Sequence, residues 1–383
     1  MPRRSRRRLA HIGRRRLALA AVTTGTDSGD ALARRTLTLV NIPSVSRDEA
    51  AIARAASGMI PGSFTVHFDD GEAIVASTDR VPGRPLVLFA GHLDTVPAQD
   101  NLPGRIEGDM VVGLGATDMK GGLAVMLELA AWIDREDPVR SVDVGIVMFT
   151  REELPVAESP LPAAFSACPL LGEAALVVVM EPTDNTLQGG CVGNLNATLR
   201  FHGTSAHSAR PWDGDNAIAR AVQGLGHLVS VPPRPVEIEG LTFTEVISLT
   251  CVNGGIADNV IPDLVECRVN FRFTPDRSMD EAREHLHAVV GDAGELEITS
   301  VSPSGAVCTH LPLARALGRA GGFDVAPKQA WTPVAQFTEQ GIPAVNLGPG
   351  ATRFAHRRDE QISISEMRRT LDALKRFVTG AVD

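Results

Sequence analysis

The chain has 383 residues, 44% apolar and 4% aromatic with no Tyr, a length that suits two domains and a composition that supplies a core of Val, Leu, Ala and Ile while removing phenol as a catalytic acid or oxyanion donor. The formal net charge of −9 is unevenly placed: residues 1–20 hold eight Arg and no acid, so the rest sets 29 basic against 46 acidic residues, a net of −17. An acidic body of this kind argues against nucleic acid or an anionic membrane as the main partner.

The N-terminal stretch MPRRSRRRLAHIGRRRLALAAV is basic, but its apolar run LALAAV is too short for a signal-peptide core. Residues 1–25 are therefore read as a disordered Arg-rich extension, or as the product of a start placed too far upstream, with a twin-Arg export signal as the lesser alternative. No stretch approaches the ~20 apolar residues of a membrane span. The five Cys, with no C-x-x-C pair, fit free thiols better than a disulfide framework.

From about Asp30 the pattern becomes globular. Ser46 and Glu49 read as a capping box before an Ala-rich helix ending near Pro61. PLVLFAGHLD then reads as a buried strand running into a loop, GGLAVMLELAAWIDRED as a helix, and VDVGIVMFTREE and ALVVVMEPT as two more buried strands. β-branched apolar runs separated by helices predict an α/β domain with a mixed, mostly parallel sheet flanked by helices.

From about Leu187 the texture changes. NLNATLRFHG, TEVISLTCV, LVECRVNFRF and ELEITSV read as strands, while NAIARAVQGLGHLV and DEAREHLHAVV, the latter capped by Ser278 and Glu281, read as helices. This β-α-β-β-α-β order is the ferredoxin-like α+β pattern. It predicts a domain inserted at 187–299 into a larger domain made of 26–186 and 300–383. Helix PLARALGRAG, strand PAVNLG and a final helix with Ser363 and Glu366 in its cap complete the larger unit.

Chemistry-bearing residues gather after the predicted strands, where open α/β sheets place their sites. In GHLDTVP, the H-x-D spacing puts His92 and Asp94 on one face of extended chain. A ligating imidazole commonly gives its second ring nitrogen to a carboxylate, the part that falls to Asp94. In GLGATDMKGG, Asp118 follows a Gly-rich loop without the G-K-[ST] of a phosphate-binding loop. In TREEL, Glu152 and Glu153 point opposite ways, so one can face a metal while the other faces a bound water. Glu181 in MEPTDN and His356 in FAHRRDE complete the set. Alone, each also fits a loop His, an N-cap Asp or a solvated turn. Together His92, Asp118, Glu153, Glu181 and His356 can hold two cations, with one carboxylate bridging and a His and a terminal carboxylate left for each metal. Imidazole and carboxylate ligands favour zinc, cobalt or manganese.

The segments GHLDTVP, GATDMKGG, TREE, EPT, GTSAHSARPWDGDNAI, GGIADNVIPD, VNFRF, GIPAVNLGPG and AHRRDE, in this order, resemble the co-catalytic zinc amidohydrolases, a family that includes desuccinylases of succinyl-diaminopimelate, acetylornithine deacetylases and aminoacylases. EPTDN, HSARPW, KQAW and Leu114 are most similar to the Gram-positive-type desuccinylase branch. The resemblance runs from about residue 30 to the C-terminus. It implies that His92 and Glu181 hold one metal, Glu153 and His356 the other, and that Asp118 bridges them, with two divalent ions, zinc first among them. It implies that Asp94 orients His92, that Glu152 is the general base, and that the Asp118–Met119 peptide is cis. It also implies that the inserted domain dimerises and acts as a lid, bringing His207 into the neighbouring subunit's site, and that Arg210, Asn259 and Arg272 contact the substrate. The activity implied is removal of a succinyl group from N-succinyl-LL-2,6-diaminopimelate in bacterial cytoplasm, a step toward lysine and cell-wall precursors. Acetylornithine deacetylation, aminoacylase or dipeptidase activity stands as the alternative with the same metal centre, and a catalytically inactive binding protein as the alternative of a different class. Two features depart from the resemblance: Pro333 in AWTPVAQF, where an acidic residue is usual, and the Arg-rich extension.

Overall fold

The computed structural model describes residues 28–380. The Arg-rich segment 1–25, expected to be disordered, lies outside the described residues. Two main sheets organise the chain. The larger has eight strands in the order Thr65–Asp69, Ala73–Ser77, Asp143–Phe149, Leu86–His92, Ala174–Val179, Ala344–Asn346, Leu187–Gly189 and Val325–Pro327. The four strands from Asp143–Phe149 to Ala344–Asn346 run parallel, and antiparallel pairings flank them.

Every residue of Leu86–His92 and of Asp143–Phe149 is buried, as continuous apolar runs require when both faces of a sheet are covered. Alternation divides the faces. Val87 and Phe89 enter the core beneath helices Ser28–Val40, Gly121–Glu136, Pro312–Gly321 and Ile364–Thr379, while Leu86, Leu88 and Ala90 enter the core beneath Leu161–Ala167 and Val334–Glu339.

The second sheet is antiparallel throughout, in the order Arg234–Ile238, Leu241–Gly254, Leu264–Phe273, Gly193–His202 and Glu295–Ser302. Helices Ala217–Val229 and Met279–Val290 share a core with one of its faces. The ferredoxin-like order is present, extended at one edge by Arg234–Ile238. The boundary expected at 187 falls inside the large sheet, because Leu187–Gly189 pairs with Ala344–Asn346 and Val325–Pro327. The small sheet begins at Gly193 and ends at Ser302. A three-residue strand carries too little periodicity to be read from sequence.

Of the three capping pairs expected from sequence, two form and one does not. Ser278 and Glu281 form the full reciprocal box, and the Ser363 hydroxyl accepts the Glu366 N–H, with the last helix starting at Ile364. At Ala50–Ser57 the N-cap is Glu49, and no side-chain cap bond forms. The Glu49 carboxylate accepts the Arg47 N–H at 2.8 Å, and Ser46 turns instead toward Asp94. All five cysteines are free, four of them buried. Among the described residues no helix is long and apolar enough to cross a membrane.

Candidate metal centre

The four parallel strands deliver their carboxyl ends to one rim. Leu86–His92 ends on His92, Asp143–Phe149 runs into Glu152 and Glu153, Ala174–Val179 into Glu181, and Ala344–Asn346 into the Gly348–Gly350 turn that leads to His356. Asp118 comes from the segment Ala116–Lys120 that opens helix Gly121–Glu136, and its peptide bond to Met119 is cis.

The rim is assembled by close backbone packing. A methyl group on Gly348 would run into the carbonyls of Met180 and Glu181, and one on Gly350 would meet the Thr117 carbonyl at 2.6 Å. The turn before His356 is therefore seated directly on the segments that carry Glu181 and Asp118, with no room for a side chain.

Asp118 divides its two oxygens. Oδ1 lies 3.1 Å from Nε2 of His92, and Oδ2 lies 3.4 Å from Nε2 of His356. His92 Nε2 has Glu181 Oε1 at 3.7 Å as its other acidic neighbour, and His356 Nε2 has Glu153 Oε1 at 3.0 Å. The structure thus brings His92, Asp118, Glu153, Glu181 and His356 together, each His with its own terminal carboxylate and Asp118 between them. Donor atoms of His92, Asp118 and Glu153 lie within 4.8 Å of one another, as do those of His92, Glu152 and Glu181. Glu152 faces the same space.

Asp94 supports this group from behind. His92 Nδ1 lies 3.0 Å from the Asp94 carbonyl and 3.5 Å from its carboxylate. The carboxylate's shorter bonds go elsewhere: it accepts the Glu152 N–H at 2.9 Å, the Glu153 N–H at 3.1 Å and the Ser46 hydroxyl at 2.7 Å. Asp94 therefore orients the Glu pair as well as the imidazole.

The electrostatics call for added positive charge. Burial and the neighbouring Glu181 push the Glu152 carboxyl well above its ordinary range. Burial and Asp118 raise Glu181 to about 7. Burial alone would lower His92, but hydrogen bonds to Asp118 and Asp94 pull it well above the usual imidazole value. The Asp118 and Glu153 carboxylates raise His356 to about 10. Buried like charges cannot all ionise without a cation. Glu181 Oε1 is buried with no hydrogen-bond partner, an arrangement that is costly unless the atom ligates something. The donor set, two imidazoles and carboxylates, fits divalent metal.

The residues expected to contact the substrate or a neighbouring site lie elsewhere. His207, Arg210 and Asn259 are exposed and grouped on the small-sheet unit: His207 pairs with Val260, the Ser208 N–H donates to the Asn259 carbonyl at 2.9 Å, and the Arg210 N–H donates to the His207 carbonyl at 2.7 Å. None of the three belongs to the His–carboxylate groups at the rim. Arg272 is half-buried on the small sheet, with Nε donating to Asn270 Oδ1 at 3.1 Å. Pro333 is buried at the N-cap of Val334–Glu339, where a residue without an N–H costs nothing.

Sequence reading missed Ser46, assigned to a helix cap, and Glu360, which lies in AHRRDE but received no role. Glu360 accepts three backbone N–H groups from the Asp118 segment, while burial pushes its carboxyl up to about 7 against those bonds. Lys328 was missed as well: it is buried, its Nζ donates to the Pro182 carbonyl at 3.1 Å, and its charge lowers the Glu181 pKa.

The chain is similar to known proteins over most of its length. Residues 88–380 match the model of peptidase family M20/M25/M40. The chain is 40% identical over 350 residues to a putative succinyl-diaminopimelate desuccinylase, DapE, of Mycobacterium tuberculosis, covering 90% of this chain and 97% of that protein. It is 34% identical over 352 residues to the succinyl-diaminopimelate desuccinylase of Corynebacterium glutamicum, covering 89% and 94%. In fold it resembles aminopeptidase PepT from Bacillus cereus, with a TM-score of 0.75 at 18% identity over 93% of this chain and 99% of that one. It also resembles the M20 family metallo-carboxypeptidase Sso-CP2 from Sulfolobus solfataricus, with a TM-score of 0.72 at 15% identity over 91% and 98%. With the family model spanning most of the chain and these relatives spanning nearly all of it, the chain belongs to peptidase family M20/M25/M40 and is a metal-dependent hydrolase.

Proposed function

We propose that this chain hydrolyses N-succinyl-LL-2,6-diaminopimelate to succinate and LL-diaminopimelate in the bacterial cytoplasm, as a step in lysine and diaminopimelate synthesis. The chemistry rests on one observation above all: Asp118 turns one oxygen to His92 and the other to His356. The choice of substrate rests on the desuccinylase relatives, alike over nine-tenths of the chain. His92 and Glu181 would hold one divalent ion and Glu153 and His356 the other, with Asp118 available to both; zinc suits these ligands, and cobalt or manganese could replace it. Bound there, two divalent ions supply Lewis acidity toward water and an amide carbonyl.

The protein's own groups then carry the proton. Glu152, half-buried beside His92 and Glu181, accepts a proton from the attacking water as the new C–O bond forms and delivers it to the amine nitrogen as the C–N bond breaks. Asp94 holds the Glu152 backbone and the His92 ring in register for this. Arg210, Asn259 and Arg272 would contact the substrate's carboxylates and reacting carbonyl, since a guanidinium holds a carboxylate through parallel N–H bonds.

The enzyme works as a homodimer joined through the small-sheet unit, whose His207 serves the neighbouring site as a donor to the oxyanion. The strand Leu241–Gly254 pairs with Arg234–Ile238 only as far as Glu245, leaving Val246–Gly254 with an edge unpaired among the described residues. Beside it, helix Ala217–Val229 exposes Ile218, Val222 and Val229, which share a face at helical spacing. An open strand edge next to an apolar helix face is a self-complementary surface.

Assay of the zinc-loaded protein against succinyl-diaminopimelate, acetylornithine and acetylmethionine tests the reading. We expect kcat/KM for the first to exceed the others by at least ~10²-fold, the discrimination available to a site built to pair a charged group. A preference for acetylornithine or acetylmethionine overturns the substrate, and no turnover of any amide overturns the activity.

A further inference from the structure

Glu360 is 1% exposed and lies four residues beyond His356. Its Oε2 accepts the Gly115 N–H at 2.8 Å, and its Oε1 accepts the N–H groups of Thr117 at 3.1 Å and Asp118 at 3.0 Å. Its own carbonyl accepts the Gly113 N–H at 2.9 Å. Gly115 has φ 73°, a left-handed conformation that turns these successive amides toward one point. The Glu360 carboxylate therefore gathers residues 115–118, and its backbone carbonyl adds Gly113.

The tie is doubled from the other side. Gln99 Nε2 donates to the His356 carbonyl at 3.0 Å, Asn101 Nδ2 to the Arg357 carbonyl at 3.3 Å, and the Leu114 N–H to the Asn101 carbonyl at 3.2 Å. The loop bearing His356 and the segment bearing Asp118 are thus laced together at Glu360 and Asn101. His356 is itself half-exposed with φ 59°.

We infer that Glu360 is a positioning residue for the metal centre: it clamps the amides on either side of Thr117 and thereby sets the Asp118 carboxylate against His356. The inference rests on the two-metal reading above. Groups behind a metal's direct ligands typically change affinity by about 10–100-fold when removed. Gln at 360 matches the size of Glu but presents one oxygen and an NH2, so at least one N–H of Gly115, Thr117 or Asp118 meets a donor instead of an acceptor.

The test is metal binding by the full-length apoprotein, with zinc titrated in competition with a chromophoric chelator and the visible spectrum of the cobalt form recorded. Glu360→Gln should fold as wild type by circular dichroism, bind zinc at the weaker site about 10–100-fold less tightly, and shift the cobalt bands. Glu360→Asp keeps the charge with a shorter reach and should fall between the two. Wild-type affinity and an unchanged cobalt spectrum in folded Glu360→Gln overturn the inference; should that variant not fold, the same result in Glu360→Asp overturns it. Asp118→Asn separates the two levels. If Asp118→Asn also binds both metals as wild type does, the metal-centre reading itself fails. If only the Glu360 variants do, the clamp alone is wrong.

Discussion

Ser46 donates its hydroxyl to Oδ2 of Asp94 at 2.7 Å, across 48 residues of sequence. The loop that makes this bond is itself docked on the strand end, with the Ser46 N–H donating to the Thr95 carbonyl at 3.1 Å and Val45 bridged to Thr95. Asp94 in turn accepts the N–H groups of Glu152 and Glu153. A hydrogen bond to an ionised carboxylate contributes about 1.5–3 kcal/mol. Ser46→Ala should therefore lower kcat by roughly 10-fold with little change in KM or metal content, and Asp94→Asn should do more, because it turns a donor toward one of the two Glu amides. Steady-state kinetics beside metal analysis decides this; wild-type kcat in both variants would show that the Asp94 bonds do not position Glu152.

The proposed mechanism makes Glu152 the proton carrier and not a required ligand. Glu152→Gln should retain the wild-type metal content and lose at least ~10²-fold in kcat, the scale of general-base loss. Loss of metal together with activity would instead make Glu152 a ligand, a possibility its closeness to His92 and Glu181 makes worth measuring.

Cross-subunit catalysis has its own signature. His207→Ala and Glu152→Gln should each be nearly inactive, since losing one oxyanion donor costs about 10²–10³ in kcat. After subunit exchange in an equal mixture, half of the dimers are mixed, and each has one site with both groups intact. Activity should return to about a quarter of wild type, by random pairing of independent sites. Verified mixed dimers that stay inactive would rule out a role for His207 across the interface.

The small-sheet unit carries a pH-dependent contribution to stability. Glu245 is 4% exposed and is held by both Arg234, at 3.0 Å through Nε and 3.0 Å through Nη2, and Arg277, at 2.7 Å through Nε. Burial alone would raise its carboxyl, but the bonds to Arg234 and Arg277 hold it below its ordinary value. A folded pKa below the unfolded value means the stabilisation is full above roughly pH 4.3 and is lost as pH falls through the lower folded pKa. Glu245→Gln should cost about 3 kcal/mol at pH 7, and its Tm deficit should shrink as pH falls below 4. Calorimetry of both proteins across pH 3–7 measures this, and a deficit that does not change with pH would assign the loss to packing.

Sequence by itself determined the elements and the inventory of donors. Residues 86–91 and 144–149 are continuous apolar runs whose burial follows from composition, and the polar residues after them mark where each strand leaves the sheet. These are local signals, set by the period of side chains along a strand. Read locally, however, His92, Asp118 and Glu153 each kept a plain structural alternative, and only the order of nine motifs gave them roles. The tertiary structure decided which donors face each other. Asp118 lies between His92 and His356, and His356 beside Glu153, because four parallel strands that are distant in sequence are neighbours in the sheet. It also overruled a local rule. Ser46 and Glu49 have capping-box spacing, yet the hydroxyl goes to Asp94, a charged acceptor at a strand end. Glu360 was hidden for the same reason: its three partners lie more than 240 residues away, and no spacing along the chain encodes a bond that forms only after two loops are folded against one another.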